Sequence, residues 1–296
     1  MTFTQLNILV MVAELGGFTS AAAKLGVSQS AVSHALKSLE KEWGVVLFSR
    51  TQPGIEITDI GQQLLLRARE ILALSEAMKQ DIAASHGLNR GVLRIGSFGP
   101  TSSLKLLPTL LNAYRQQYPG IDVFVDEGED SEIAQWILER RVDIGFVVLP
   151  DERFDTLPLV EDQLVALIPA AHPLAQKNAV SLAELCEMPF IMTAAGSGAL
   201  IEQLFGRAGL SPRIRYRFSQ LLTIIDMVER GEGVSIVAEL ALPNALTSAP
   251  RGFVKLPLKP ASKRTVALAV RSLDQATPAM KAFLETGRDL AAEFVR

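Results

Sequence analysis

A single cysteine, Cys186, stands in a chain of 296 residues, and that scarcity removes several chemistries at once. An internal disulfide, a CxxC redox pair and a zinc site built from several cysteines each need another thiol. Cys186 therefore reads as a small buried hydrophobe. Histidine is nearly as scarce: His34, His86 and His172 are the only three, and they fall in unrelated contexts. His172-Pro173-Leu174 reads as a structural turn. GxSxG, HExxH and GxGxxG are absent. The acidic pairs Asp126-Glu127 and Glu129-Asp130 read as strand-end and loop charges, so catalysis is disfavoured and neither metal nor cofactor is expected. No uncharged apolar run approaches the ~18 residues a bilayer span requires. The opening MTFTQLNILVMVAELGG has no basic leader, and Glu14 breaks its apolar run, which predicts neither secretory signal nor anchor. The expectation is a cytoplasmic protein with no membrane partner.

An excess of positive charge is also missing. Net charge is −3. Over residues 1–58, Lys24, Lys37, Lys41 and Arg50 are balanced by Glu14, Glu40, Glu42 and Glu56. A nucleic-acid partner would have to be argued from geometry, and its affinity would draw on more than one copy of the module.

What is present is a 48% hydrophobic, 21% charged composition, that of a globular chain long enough for two domains or one plus a small module. Thr4 is placed to cap a first helix with apolar Leu6, Leu9, Val10, Val12 and Ala13, closed by Gly16-Gly17. Thr19 is placed to cap a second, Ser20 to Leu25, stopped by Gly26. Ser28 caps a third that runs through Glu42 and ends near Gly44. Three short helices with a tight Gly-Val-Ser turn between the last two fit a helix-turn-helix. In the third, Val27, Ala31, Val32, Ala35, Leu36 and Leu39 form the expected buried stripe, while Gln29, Ser30, Ser33, His34 and Lys37 point away. Val46 to Phe48 and Glu56 to Thr58, flanking Gln52-Pro53-Gly54, read as the two strands of a wing.

The outward face of the third helix has two readings. A solvated face is usually rich in Glu and Lys. Here Gln, Ser, Ser and His occupy the first two turns, hydrogen-bonding groups that suit base edges and phosphates.

At this density of features, residues 1–61 resemble the DNA-binding domain of LysR-type transcriptional regulators, through GGFTSAAAKLGVSQSAVSHALKSLEKEWGVVLFSR and then IEITDIG. The match includes Ala21-Ala22, the SQSAVS stretch, Leu39-Glu40, the spacing of Gly44, Leu47, Phe48 and Arg50, and Thr58 with Gly61. The resemblance implies that Gln29, Ser33 and His34 face the major groove, that Ser28, Ser30 and Lys37 hold phosphates, and that Arg50 and Thr51 serve the wing. His34 stands where the family often carries a longer polar or basic side chain, and the wing TQPGIE lacks a second basic residue.

From Thr58 and Asp59 a long helical pattern runs to about Ser85, spanning roughly 40 Å at ~1.5 Å per residue. Its apolar positions, among them Leu64, Leu65, Ala68, Leu72, Leu74, Met78 and Ile82, are more than a lone helix exposes. It reads as a dimerising linker, as in the resembled family, or as a helix packed on its own chain. A dimer would set two recognition helices on one face of the duplex, with half-sites related by its own two-fold.

After His86-Gly87-Leu88-Asn89-Arg90-Gly91 the pattern changes. VLRIGS, a helix from about Ser103 to Gln117, IDVFVDE, a helix from Ser131 to Arg140, and DIGFVV alternate as in a parallel sheet wrapped by helices. LVALIPA, FIMT, a helix from Ala199 to Ala208, RIRYRF, a helix from Leu221 to Arg230, and VSIVA suggest a second lobe. TVALAV and a last helix from Pro278 to Phe294 return to the first. Two lobes joined by two crossings form a hinged cleft like that of periplasmic solute-binding proteins, and by pattern this part resembles the LysR effector-binding domain. The division expected is 1–58 for the winged helix-turn-helix, 59–90 for the linker helix and hinge, and 91–296 for the α/β effector domain. Lobe 1 would hold about 91–162 and 266–296, and lobe 2 about 163–265.

Strand-to-helix turns are natural ligand sites in such a cleft. Ser97, Gly99, Thr101, Ser102 and Ser103 form one, without the GK[ST] ending of a nucleotide loop; Thr193 and Ser197 form a facing one. Ser219, Gln220 and Thr223 resemble a third family segment, although Ala238 stands where the family commonly has Pro. Capping and turn chemistry alone could account for each cluster. Arg213, Arg215 and Arg217 share a strand face, either lining an anion site or defending an exposed edge. The sequence thus points to a transcriptional regulator binding double-stranded DNA and a small effector, an organic anion by the helix-terminus argument, as a homodimer assembling to a homotetramer. RNA polymerase is a partner if it activates. A cytoplasmic solute-binding or metabolite-processing protein with an appended helix-turn-helix is the alternative.

Overall fold

A computed structural model describes residues 1–51, 54–84, 90–194, 197–243 and 252–294. The expected wing tip at Gln52-Pro53 and the hinge at 85–89 lie outside them. The chain divides into two compact units, one holding residues 1–87 with 139–141 and the other the remainder.

The first unit opens with α1 (Phe3–Leu15), α2 (Phe18–Leu25) and α3 (Gln29–Trp43). The caps differ from expectation at two of three starts. Thr2, not Thr4, caps α1: its side chain accepts from the Gln5 amide at 3.2 Å while the Gln5 side chain accepts from the Thr2 amide at 2.9 Å. That reciprocal box starts the helix a residue ahead of Thr4. Helix α2 starts at Phe18 behind Gly17, without the side-chain cap expected of Thr19. Ser28 does cap α3, accepting from the Ala31 amide at 3.1 Å. Gly26 and Gly44 close α2 and α3 at φ of 67° and 69°, a left-handed conformation that glycine adopts without Cβ strain.

Val32, Leu36 and Leu39 carry α3 into a core shared with Leu6, Leu9, Val12, Ala21 and Ala22. Val27 and Ala31 are exposed, unlike the expected stripe: Val27 precedes the helix, and Ala31 lies off the face on which 32, 36 and 39 align. The wing pairs β1 (Phe48–Thr51) with β2 (Gly54–Ile57), Phe48 opposite Ile57 and Arg50 opposite Ile55. Its strands begin and end one to three residues from the expected limits; just ahead of them the Glu40 carboxylate accepts from the Leu47 amide at 2.7 Å, and the Leu47 carbonyl accepts from the Thr58 amide at 2.9 Å. Helix α4 (Asp59–Ala84) follows.

The second unit is built on one eight-stranded sheet. Its elements are β3 (Gly91–Phe98), α5 (Leu107–Gln117), β4 (Ile121–Gly128), α6 (Asp130–Leu138), β5 (Ile144–Leu149), β6 (Asp155–Pro169), α7 (Leu182–Cys186), β7 (Pro189–Thr193), α8 (Gly198–Arg207), β8 (Arg213–Phe218), α9 (Leu221–Glu229), β9 (Val234–Ala238), β10 (Phe253–Val270) and α10 (Pro278–Phe294). A π-helical turn, Thr101–Leu106, leads into α5. Strand order is β4-β3-β5-β10-β6-β9-β7-β8.

The sheet is mixed, not the parallel sheet that the alternation suggests. β3 runs parallel to β4 and β5, and β7 to β8 and β9. β10 runs antiparallel to both β5 and β6 and crosses with β6 from one lobe to the other. Its first half was hidden because Pro257 and Pro260 interrupt the apolar pattern, and proline is normally confined to edges or bulges. Here the ladder shifts register between Pro257 and Ser262. Each lobe keeps a core of its own, one around Ile95, Tyr114, Phe146 and Phe283, the other around Ile168, Phe190, Phe205 and Ile236.

Candidate functional site

On α3, Gln29, Ser30, His34 and Lys37 are exposed and Ser33 is half-buried. Three buried aliphatics on the opposite side fix which way they point. The Ser28 and Ser30 hydroxyls lie 2.9 Å apart and share a hydrogen bond, so Ser28 serves the cap before it can serve a phosphate. Arg50 and Thr51 belong to β1, and their side chains lie outside the description. Thr58 joins the wing to α4: its hydroxyl donates to the Val46 carbonyl at 2.7 Å and accepts from the Gly61 amide at 3.0 Å. A Cβ on Gly61 would lie 2.4 Å from the Leu47 carbonyl oxygen, which is why this position takes no side chain.

Helix α4 answers both readings of its apolar residues. Leu65 and Ala68 are buried in the core of the first unit. Leu74, Met78 and Ile82 stand 61%, 67% and 64% exposed at four-residue spacing, one open apolar stripe.

In the second unit a small pocket opens where β6 and β10 cross between the lobes. Gly99, Thr101, Thr193, Ser197 and Ser219 line it, together with Phe98, Pro100, Leu221, Val237, Ala238, Ala241 and Arg264. Four other expected residues do not. The Ser97 hydroxyl bonds to those of Ser102 and Ser103 at 3.1 and 2.9 Å, and Ser102 accepts from the Phe98 amide at 3.0 Å, so these serines close their own turn. Thr223 is half-buried on α9, away from the lining.

Sequence reasoning missed Arg264 and Asp162. Arg264 is 4% exposed, and its guanidinium reaches Thr101 Oγ1 from one lobe at 2.7 Å and Ser197 Oγ from the other at 2.9 Å. Asp162 Oδ2 accepts from its Nη2 at 2.8 Å and its Nε at 3.0 Å. The signal was a charge opening an apolar strand, Arg264 before TVALAV, matched by Asp162 before LVALI. Arg213, Arg215 and Arg217 lie exposed on the outermost strand, β8, where Arg217 pairs with Glu202 at 2.9 Å and Arg215 with Glu232 at 3.4 Å. That arrangement is the charged edge and not an anion pocket.

Among the described residues no group of three His, Cys, Asp or Glu could hold a metal ion, and no helix is long and apolar enough to cross a membrane. Burial and the nearby Glu187 raise the Cys186 thiol above its ordinary range.

Two family profiles match the two parts of the chain. Residues 3–62 match the bacterial regulatory helix-turn-helix protein, lysR family, and residues 86–292 match the LysR substrate binding domain. The chain belongs to the LysR family of transcriptional regulators. Family membership makes the first unit a DNA-binding domain and the second an effector-binding one. Among its relatives, the uncharacterized regulator YvbU of Bacillus subtilis (strain 168) is 34% identical over 98% of this chain and 99% of its own. The probable regulator LrrA of Synechococcus elongatus is 34% identical over 99% and 98%. Among solved structures, a full-length OxyR variant from Pseudomonas aeruginosa superposes with a TM-score of 0.74 at 25% identity, covering 97% of this chain and 95% of that one. Full-length CbnR complexed with its target DNA superposes with a TM-score of 0.64 at 25% identity, covering 98% and 99%.

Proposed function

We propose that this LysR-family regulator is a cytoplasmic homodimer, assembling further to a homotetramer, that reads duplex DNA with α3 and responds to a small molecule held between its two lobes. The observation that carries the DNA reading is the outward set Gln29, Ser33 and His34 on a helix fixed by Val32, Leu36 and Leu39. Ser28, Ser30 and Lys37 serve phosphates, and Arg50 and Thr51 serve the wing. The open stripe Leu74, Met78 and Ile82 supplies the dimer contact. Pairing compensates for the missing basic excess, since two weak modules on one chain of DNA bind far more tightly than one.

The working division is 1–58, 59–90 and 91–296, with Gly99, Thr101, Thr193, Ser197 and Ser219 as ligand contacts. The protein catalyses no reaction in this account. A ligand acts by its differential affinity for two assembly states, changing how dimers pair and so the spacing or bend of bound DNA. RNA polymerase is the further partner where the outcome is activation. Footprinting of the full-length protein across a metabolite library tests it. At least one compound that raises the thermal stability should also move or shorten the footprint; a footprint unaltered by every stabilising compound contradicts the ligand step.

A further inference from the structure

Among the described residues, the pocket lining contains one charged side chain, Arg264, and its charge is already spent. Nε and Nη2 donate to Asp162 at 3.0 and 2.8 Å, Nη2 also to Thr101 at 2.7 Å, and Nη1 to Ser197 at 2.9 Å. Asp162 is as buried as its partner, and its other oxygen accepts from the Leu240 amide at 3.0 Å. We propose that Asp162 sets the charge of the ligand: by cancelling Arg264 it makes the pocket a site for an uncharged organic molecule with an apolar body and an acceptor oxygen, and excludes organic anions. The proposal rests on the pocket being the effector site, and it departs from the anion that the helix termini suggested.

Desolvation decides between the two. An anion entering the pocket leaves bulk water for a lining of hydroxyls, Phe98, Leu221, Val237 and Ala238. It meets a cation whose counter-charge is held in place, and a carboxylate that repels it. Burying a charge is costly unless the charge is paired. An uncharged ligand meets no such penalty.

Helix termini do not reverse this. α8 and α9 begin at Gly198 and Leu221 beside the lining, both without a side-chain cap. Each terminus is equivalent to about half an elementary charge at most. Their amides are satisfied by a carbonyl or hydroxyl oxygen as well as by a carboxylate. The Thr101 hydroxyl, which accepts from Arg264, keeps its own proton to donate, and that too asks the ligand for an acceptor.

The test compares benzoate with benzamide, one shape with and without the charge, as probes in thermal unfolding of the full-length protein. Wild type should give no saturable rise in Tm with benzoate. Asp162→Asn keeps the local shape but leaves Arg264 without its counter-charge. It should gain a saturable benzoate response, half-saturating at a concentration at least ten-fold below any in wild type, with the benzamide response unchanged. Asp162→Asn combined with Arg264→Met should lose it again. The proposal is overturned by a saturable wild-type benzoate response that Thr101→Val abolishes, or by no benzoate gain in Asp162→Asn. Should Asp162→Asn not fold unaided, refolding in benzoate alone restores it if the proposal holds, and equal yields in both probes overturn it. A failure of the DNA-binding reading leaves these outcomes untouched, because no DNA is present in the measurement.

Discussion

Arg264 and Asp162 are partners twice over: they stand opposite each other in the ladder between β10 and β6, and their side chains meet at 2.8 Å with both nearly sealed from solvent. The ladder fixes the backbones and the ion pair fixes the side chains at the point where the chain passes between lobes. Thr101 and Ser197 then hang on the same guanidinium from opposite sides.

Breaking that pair from one side should be expensive. Arg264→Met leaves a buried carboxylate uncompensated and should cost the second unit about 3–5 kcal/mol in urea unfolding. Replacing both members, Arg264→Met with Asp162→Leu, should cost less than Arg264→Met alone. Additive losses in the double variant would show that the two side chains do not act as a pair.

Gly61 tests the joint between wing and linker helix. A methyl there meets the Leu47 carbonyl at 2.4 Å and the Ile57 side chain at 2.8 Å. Gly61→Ala should destabilise the first unit by about 1–3 kcal/mol, although alanine is the better helix former. An unchanged or higher midpoint in calorimetry would mean that the backbone yields there.

The stripe on α4 predicts the oligomer. Leu74→Glu with Ile82→Glu removes two exposed aliphatics from each copy, each worth about 1.5–3 kcal/mol if buried against a partner. Sedimentation velocity should show dissociation at concentrations where wild type stays associated, with secondary structure unchanged by circular dichroism. An undiminished sedimentation coefficient would move the dimer contact elsewhere.

Glu184 gives a signature in pH. Lys177 first, and then the amide and hydroxyl of Ser181, hold its carboxyl at about 2, below its ordinary 4.5. A carboxyl depressed by folding adds stability that is full above its unfolded value and is lost as pH falls toward the folded one. Wild type should exceed Glu184→Gln in Tm at neutral pH, by a small amount because the group is only half-buried, and the two should converge between about pH 4.5 and 2. A difference that grows on acidification has the wrong sign for this box.

How much of this was legible in the sequence follows the range of the interactions. Ser28, Gly26 and Gly44 act within a turn of their own helices, so α3 and its outward face could be read directly. Glu40 was visible as part of a motif, but its grip on the Leu47 amide seven residues on was not, and the wing strands lie one to three residues from their expected limits. Ser97, Ser102 and Ser103 were recognisable as a turn; that they satisfy one another while Gly99 and Thr101 line the pocket depends on side-chain directions no spacing encodes. Arg264 and Asp162 are 102 residues apart, and only the pairing of two crossing strands brings them together.

The central claim is sequence-specific reading of duplex DNA by α3, and a titration tests it most directly. Duplexes enriched from a random pool by the full-length protein are compared with a scrambled duplex of equal length, at several salt concentrations, for wild type and Gln29→Ala. The account predicts that wild type prefers the enriched duplex by about 10³-fold or more. Gln29→Ala should lose about 1–3 kcal/mol on that duplex and almost nothing on the scrambled one, with the salt slope unchanged. Equal loss on both duplexes, or a pool that never enriches, would contradict it.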